Sequence, residues 1–367
     1  MAPTTQNTVT IPVEPSTKSK ILSGVSGAII GTVFGYALQR SKVYLPLTIM
    51  GQMEFTNFTM LKMFMSASLT SSLAITFLDS NKLVKVDHLP MTLKRNIIGG
   101  AIMGYGIYAT GACPGTVLAQ VGAGVPGTLY TLLGGIAGSV LYGLVDKYIT
   151  KMFPAKLSGE KTTLYQKLNV PLKYVTIPFA LMLIGVLSAI ESLVPWQTNS
   201  GVSSNISIFG SFSNNVWSPY AAGLVIGLLQ IPSYLLIGNG LGTSSAYVSV
   251  FSRICNTFTG SCNLGGASYF SRFGAGVRSI SGPLLNLGII FGAYLSSQSS
   301  PLLNPGPSSS PLSHFLGGAI LLFGARFANG CTSGHGLTAM AKMELGSFAA
   351  VASMFGSGML TAYFLRK

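Results

Sequence analysis

Residues 99–116 read GGAIMGYGIYATGACPGT, and residues 317–334 read GGAILLFGARFANGCTSG. At one constant offset, Gly99-Gly100-Ala101-Ile102 falls on Gly317-Gly318-Ala319-Ile320, Gly106 on Gly324, and Cys113 on Cys331. A second match sets Gly31, Val33 and Gly35 against Gly223, Val225 and Gly227 at a shorter offset. The chain therefore repeats internally, and its second half carries an insertion, placed near 252–280.

Working outward, the repeat lies in a sequence almost without charge. Only 8% of 367 residues are charged, against roughly 25% in an average soluble domain. Mean hydropathy is +0.54. The runs 96–145, 192–252, 279–325 and 345–365 contain no Asp, Glu, Lys or Arg. One helical span needs about 20 apolar residues. A multi-spanning, all-helical membrane protein follows. A glycine-rich disordered chain is excluded because 49% of the residues are hydrophobic. The net charge of +14 does not signal nucleic acid, because the cations gather between spans and form no stripe with interleaved aromatics.

The pattern gives nine spans, at 20–39, 58–78, 96–112, 127–146, 173–194, 217–237, 279–297, 313–330 and 346–365. Segments 113–124 and 331–343 are apolar but too short to cross, and 240–251 is ambiguous. Residues 146–172 and 298–312 are loops. Four regions follow: a disordered tail at 1–19, a first membrane repeat at 20–150, a basic loop with a linking helix at 151–200, and a second repeat at 201–367. The tail has no apolar signal-peptide core, and its lack of Arg argues against a transit peptide.

With nine spans, the lysines and arginines of 18–20, 82–95, 147–173 and 253–278 all fall on one side, which the positive-inside rule makes cytoplasmic. The sequons at Asn57 and Asn205 fall on the other side, so a plasma membrane is favoured. Spans one to four correspond to spans six to nine, with span five extra. An odd number of crossings separates each pair, so the halves should run in opposite senses. Transporters of this inverted-repeat design hold their solute at the repeat interface near the midplane.

Each cysteine segment breaks an apolar span. Gly111-Ala112-Cys113-Pro114-Gly115-Thr116 does so with two glycines and a proline; Gly330-Cys331-Thr332-Ser333-Gly334-His335 does so with two glycines. Pro114 suits the first turn of a new helix. Each cysteine is thus expected at the start of a short half-helix, the two tips meeting from opposite sides. Broken backbone at membrane depth is tolerated only where it is buried in protein or lines a cavity. Two helix N-termini aimed at one point favour a small anion without any charged side chain. A buried cysteine often packs simply as a small hydrophobe, but recurrence at equivalent repeat positions outweighs that reading. A Cys113–Cys331 disulfide is a third reading.

Other residues carry weaker signals. Arg326, inside span eight, is a functional candidate by default, with a snorkelling cation as its alternative; its repeat counterpart is Tyr108. His335 is a candidate to orient solute or shuttle a proton, or a satisfied core histidine. Lys62 and Glu191 lie at span ends and are expected to snorkel. Cys255 and Cys262 are read as incidental. With His88, His314 and His335 as the only histidines, no metal-ligand set with usual spacing appears. There is no catalytic triad, no paired carboxylate and no phosphate loop. No acid inside a span marks a proton path, which favours facilitated diffusion.

The segments GACPGT (111–116) and ANGCTSGHG (328–336), with FGYALQRSKVYLP (34–46), GQMEF and MLKMF, resemble the YeeE/YedE sulfur-transport family. The likeness runs from about residue 20 to 366, with both halves in one chain. It implies an hourglass-like pore of inverted repeats and uptake of thiosulfate or a similar inorganic sulfur anion, relayed between cysteine thiols. Cys113 and Cys331 match two of those thiols. Where many members carry a third, this chain has Tyr44. The expected binding set is Cys113, Cys331, Gly111, Pro114, Gly115, Thr116, Gly330, Thr332, Ser333, Gly334, His335 and Arg326. No cofactor or metal is expected. The bilayer and a sulfurtransferase are the expected partners. A membrane sulfurtransferase-type enzyme or redox sensor using the same thiols, or a passive channel for a neutral solute, are the alternatives.

Overall fold

The computed structural model describes residues 17–84, 86–88, 92–154, 161–200, 212, 215–259, 262, 268–299 and 310–365. Asn205 and most of the 1–19 tail lie outside them. Chain order begins with α1 (Thr17–Arg40), α2 (Pro46–Met53), α3 (Thr59–Ser80), α4 (Leu93–Thr110), α5 (Thr116–Gly122) and α6 (Thr128–Met152). The link consists of α7 (Leu164–Leu168), α8 (Leu172–Leu193) and α9 (Trp196–Ser200). Next come α10 (Pro219–Leu228), α11 (Gln230–Pro232) and a π-turn, π1 (Ser233–Ile237), followed by α12 (Ser244–Thr259) and α13 (Ser268–Gly274). The chain closes with α14 (Arg278–Ser299), α15 (Pro311–Phe327), a π-helical segment π2 (Thr332–Ala339) and α16 (Leu345–Leu365). Among the described residues there is no strand, only an isolated bridge between Thr163 and Glu344.

Among the described residues, eight helices are long and apolar enough to cross a membrane. The ninth expected span is α4, which carries Lys94 and Arg95 in its first turn and lies outside that set. Helix starts follow local chemistry. Ser218 and Ser310 each cap a helix by accepting the amide three residues on, and each is followed by proline at the first helical position, where the missing N–H costs nothing.

Packing between the halves obeys one exchange rule. Helix α1 packs along α14, and α3 along α10; α6 packs along α15, and α4 along α16. Swapping each element for its repeat partner maps this set onto itself. The short elements follow: α5 touches α14 and π2 touches α3, while α2 touches α3, α4 and α16 as α12 touches α14, α15 and α6. Thus α12 is the counterpart of α2, a helix the hydropathy pattern does not reveal. The two halves interleave rather than forming two lobes. Helix α8 has no counterpart and leans on α3.

Glycines set the distances and reveal the direction. A Cβ added at Gly106 would lie 2.6 Å from Leu321 Cα, and one at Gly324 would lie 2.5 Å from Met103 N. Residues 103 and 106 thus face 324 and 321, so α4 and α15 run antiparallel. These are repeat partners, which makes the repeat inverted. By contrast Gly31 faces Leu285 and Gly35 faces Ile289, so α1 and α14 run parallel. Close backbone approach through small residues is how membrane helices gain packing energy without a hydrophobic drive between them.

Gly106→Leu should cost about 2–3 kcal/mol through overpacking at this crossing. At Gly185 on α8 an added Cβ meets nothing within 4 Å, so Gly185→Leu should be near neutral. Thermal aggregation midpoints in detergent would check the pair; equal midpoints would refute the crossing.

Candidate functional site

Both cysteine segments adopt the same break. Helix α4 ends at Gly111, whose φ is +58°, and the equivalent residue after α15, Asn329, has φ +62°. Glycine takes this left-handed conformation freely, and asparagine is the residue that most often replaces it. At Gly111 a side chain is also barred sterically, because a Cβ would sit 2.7 Å from Pro46 Cβ. The chain then turns into α5 or π2, with Cys331 as the residue capping π2. Pro114 stands two residues ahead of α5 rather than in its first turn.

A buried glutamine pairs the backbone of the first break, and another pairs the far end of π2 in the second half. The break after α15 is held instead by Arg95 Nε, which donates to Phe327 O at 3.3 Å, and by His335 Nε2 against Ala328 O. Gln120 Nε2 donates to Gly111 O and to Tyr44 O, both at 2.8 Å. In the second half, Gln230 Nε2 donates to Leu337 O at 3.0 Å and Thr338 Oγ1 at 2.9 Å, while its Oε1 accepts from Leu241 N at 3.3 Å.

Cys113 and Cys331 are free and buried. Around Cys113, Thr116 supplies both donors: its amide lies 3.4 Å and its hydroxyl 3.3 Å from Sγ. Cys331 Sγ is held by two hydroxyls from different elements, Ser333 Oγ at 3.1 Å and Thr243 Oγ1 at 3.5 Å. Each sulfur therefore sits among hydrogen-bond donors at the start of a half-helix.

Two cavities reach these sulfurs. The larger, of about 260 Å³, has Cys331 in its lining with Gly330, Gly334, His335, Ser244, Arg278 and Lys342. A narrow one of about 40 Å³ has Cys113 in its lining with Gly115, Thr116, Thr332 and Ser333, together with Met60 and Phe64. The linings share no residue. Segment π2 is the common wall: Cys331, Gly334 and His335 face one cavity, while Thr332, Ser333 and Leu337 face the other. Beside the narrow cavity's Val43, buried Lys42 has its ammonium pushed down to about 8, by desolvation first and then by Arg40.

Several expected residues serve other ends. Pro114 contributes its carbonyl, which accepts Tyr247 Oη at 2.8 Å. His335 lines the large cavity, yet both of its nitrogens are engaged, with Ser347 Oγ and Ala328 O at 2.9 Å each. Arg326 lines neither cavity. Its Nε donates to Tyr269 Oη at 2.8 Å, and its guanidinium lies 4.6 Å from the Phe273 ring centre. Its counterpart Tyr108 donates to Glu54 at 3.0 Å. Lys62 does not snorkel: it is buried against Glu191 at 2.6 Å and also donates to Val194 O. Cys255 and Cys262, read as incidental, are joined in a disulfide. Tyr44 is fully buried and lies in neither lining. Residues 242–247 escaped sequence reasoning; their signal was the ambiguous small-residue stretch at 240–251.

This is a polytopic membrane protein of inverted halves with a buried thiol in the lining of each of two separate cavities. The family described as "Sulphur transport" matches residues 40–360, and the chain belongs to that family. A similar protein is "Thiosulfate transporter TsuA" of Spirochaeta thermophila, 24% identical over 350 residues that cover 90% of this chain and 94% of the relative.

His335→Leu should lower the thermal midpoint, because Ala328 O and Ser347 lose their partner at a cost of roughly 1–3 kcal/mol. An unchanged midpoint would show that the imidazole is not a structural clamp.

Proposed function

We propose that the chain imports thiosulfate or a closely similar sulfur anion, with Cys113 and Cys331 as successive stations. The observation that carries this reading is the placement of one free, buried thiol in the lining of each cavity, at equivalent breaks of the two repeats. The membership in a sulfur-transport family and the likeness to a thiosulfate transporter support it.

The physical case rests on matching a dianion with a soft sulfur end. Half-helix amides and hydroxyls satisfy negative charge without a fixed cation. A site lacking a fixed cation releases its anion as readily as it binds it, which passage requires. The thiol offers a weak donor and a polarizable sulfur to the terminal sulfur of the anion. Sulfate lacks that sulfur and would gain less at the same station. The narrow cavity must widen, since about 40 Å³ holds only a few waters, each needing roughly 10–15 Å³.

Direction follows from charge. The large cavity is lined by His88 and Arg278 from the loops on the basic side, so it faces the cytoplasm under the positive-inside rule. The narrow cavity then faces outward across a plasma membrane. Arg278 in the lining of the large cavity draws the anion forward, while Lys342 beside it is already paired with Glu344 at 2.6 Å; a cytoplasmic sulfurtransferase is the fitting acceptor.

Labelled thiosulfate uptake in cells lacking other sulfur importers tests this. Cys113→Ala and Cys331→Ala should each reduce uptake at least tenfold with normal membrane levels of protein. Normal uptake by both variants would end the two-station reading. A persulfide on either cysteine, seen by mass spectrometry during uptake, would favour a sulfurtransferase-type reaction instead. Flux of a neutral solute that is indifferent to thiol blockers would favour a passive channel.

A further inference from the structure

The two cavities have no lining residue in common, so something separates them besides π2. The first turn of α12 stands at that place. Gly242 and Ser244 both line the large cavity, yet Thr243 between them lines neither. Its side chain points the other way. Thr243 Oγ1 is 3.5 Å from Cys331 Sγ. Its Oγ1 and Cγ2 both lie 3.8 Å from where a Cβ on Gly115 would be, and Gly115 lines the narrow cavity. Thr243 therefore touches the thiol of one station and faces Gly115 in the lining of the other across room for about one methyl group.

The turn is held firmly. Asn286 Nδ2 donates to Thr243 O at 3.2 Å. One turn on, Tyr247 donates to Pro114 O in the Cys113 segment. Thr243 and Tyr247 are both buried completely or nearly so. Helix α12 and the residue before it thus grip both cysteine segments at once, the second through Thr243 and the first through Tyr247. The first half offers no equivalent hydroxyl: the residue before its counterpart helix α2 is Leu45.

We infer that Thr243 is the specificity-determining residue of the passage, the hydroxyl that bars the way between the two cysteine stations and hands the anion across. This rests on the two-station reading above. At rest the hydroxyl engages the Cys331 sulfur. When an anion reaches Cys113, the same O–H turns to the anion's oxygen, and Cys331 is released to meet its terminal sulfur. One hydrogen bond is exchanged for another, and no covalent bond changes. The threonine methyl stands 3.8 Å from where a Cβ on Gly115 would lie, so it narrows the passage there to about the width of a methyl group and disfavours solutes that offer the hydroxyl no acceptor.

Two variants separate hydroxyl from shape. Thr243→Val keeps the volume and loses the donor; it should cut maximal thiosulfate uptake roughly tenfold, the value of one hydrogen bond, with a smaller change in KM. Thr243→Ser keeps the donor and should stay within about twofold of wild type in thiosulfate uptake while admitting sulfate better. A second measurement does not depend on thiosulfate. Inside-out and right-side-out vesicles are treated with a small charged methanethiosulfonate, and the labelled cysteine is located by mass spectrometry. Wild type should label Cys331 from one side and Cys113 from the other; Thr243→Gly should label both from either side. Wild-type uptake by Thr243→Val overturns the hand-over role, and one-sided labelling in Thr243→Gly overturns the barrier. If wild type takes up no thiosulfate, the transport reading fails, while the labelling still decides the barrier.

Discussion

Backbone that breaks inside a membrane must find every hydrogen-bond partner within the protein, because the hydrocarbon offers none. This chain breaks twice, after α4 and after α15, and the surrounding architecture answers that constraint. Each break turns through a left-handed residue, Gly111 or Asn329. The first is closed by buried Gln120, which donates to Gly111 O. The second is closed by Arg95 and His335, which pair Phe327 O and Ala328 O at the end of α15. Leaving such carbonyls unpaired would cost several kcal/mol each in hydrocarbon.

The same constraint explains the glycine stripes. The breaks must be enclosed by neighbouring helices at short range, and α4 against α15 provides that enclosure. Gly106 and Gly324 occupy equivalent positions on these two antiparallel partners, each facing the other's backbone. Such reciprocity is what a two-fold relation requires, because one sequence must serve both sides of its own contact. The charged residues that enter the protein then mark departures from symmetry. Lys62 ties α3 to Glu191 of the unpaired helix α8, and Arg326 anchors α13 through Tyr269.

Much of this was legible in the sequence. Long uncharged runs gave the spans, and the offset between Gly99-Gly100 and Gly317-Gly318 gave the repeat. Helix-breaking glycines beside both cysteines placed the half-helices. What escaped was whatever depends on partners far away along the chain. Helix α2 is only eight residues long, and only its exchange with α12 reveals its place in the repeat. Arg326 looked like a pore cation by span position, but the side of a helix a residue faces is set by packing, and its face meets Tyr269 and Phe273. Lys62 and Glu191 are 129 residues apart, so each alone resembled a snorkelling end group. The Cys255–Cys262 pair gave no signal because two nearby cysteines bond only when the backbone brings their Cα atoms to a suitable range, here 5.4 Å.

The two stations are alike in backbone and unlike in side chains. Cys113 receives its donors from one residue, Thr116, on its own half-helix. Cys331 receives hydroxyls from its own half-helix and from α12. The narrow cavity beside Cys113 is lined by Met60, Met63 and Phe64, whereas the large cavity beside Cys331 contains Arg278, Lys342 and several serines. On the two-station reading proposed above, an anion moving from the first to the second would leave an apolar cleft for a more polar one and gain donors on the way. Symmetry alone would make passage equally easy in both senses. The gradient in polarity leaves equilibrium between the two compartments untouched, since no side chain can supply free energy. On that reading it would decide where an anion dwells, and an acceptor that consumes the anion there would make entry one-way.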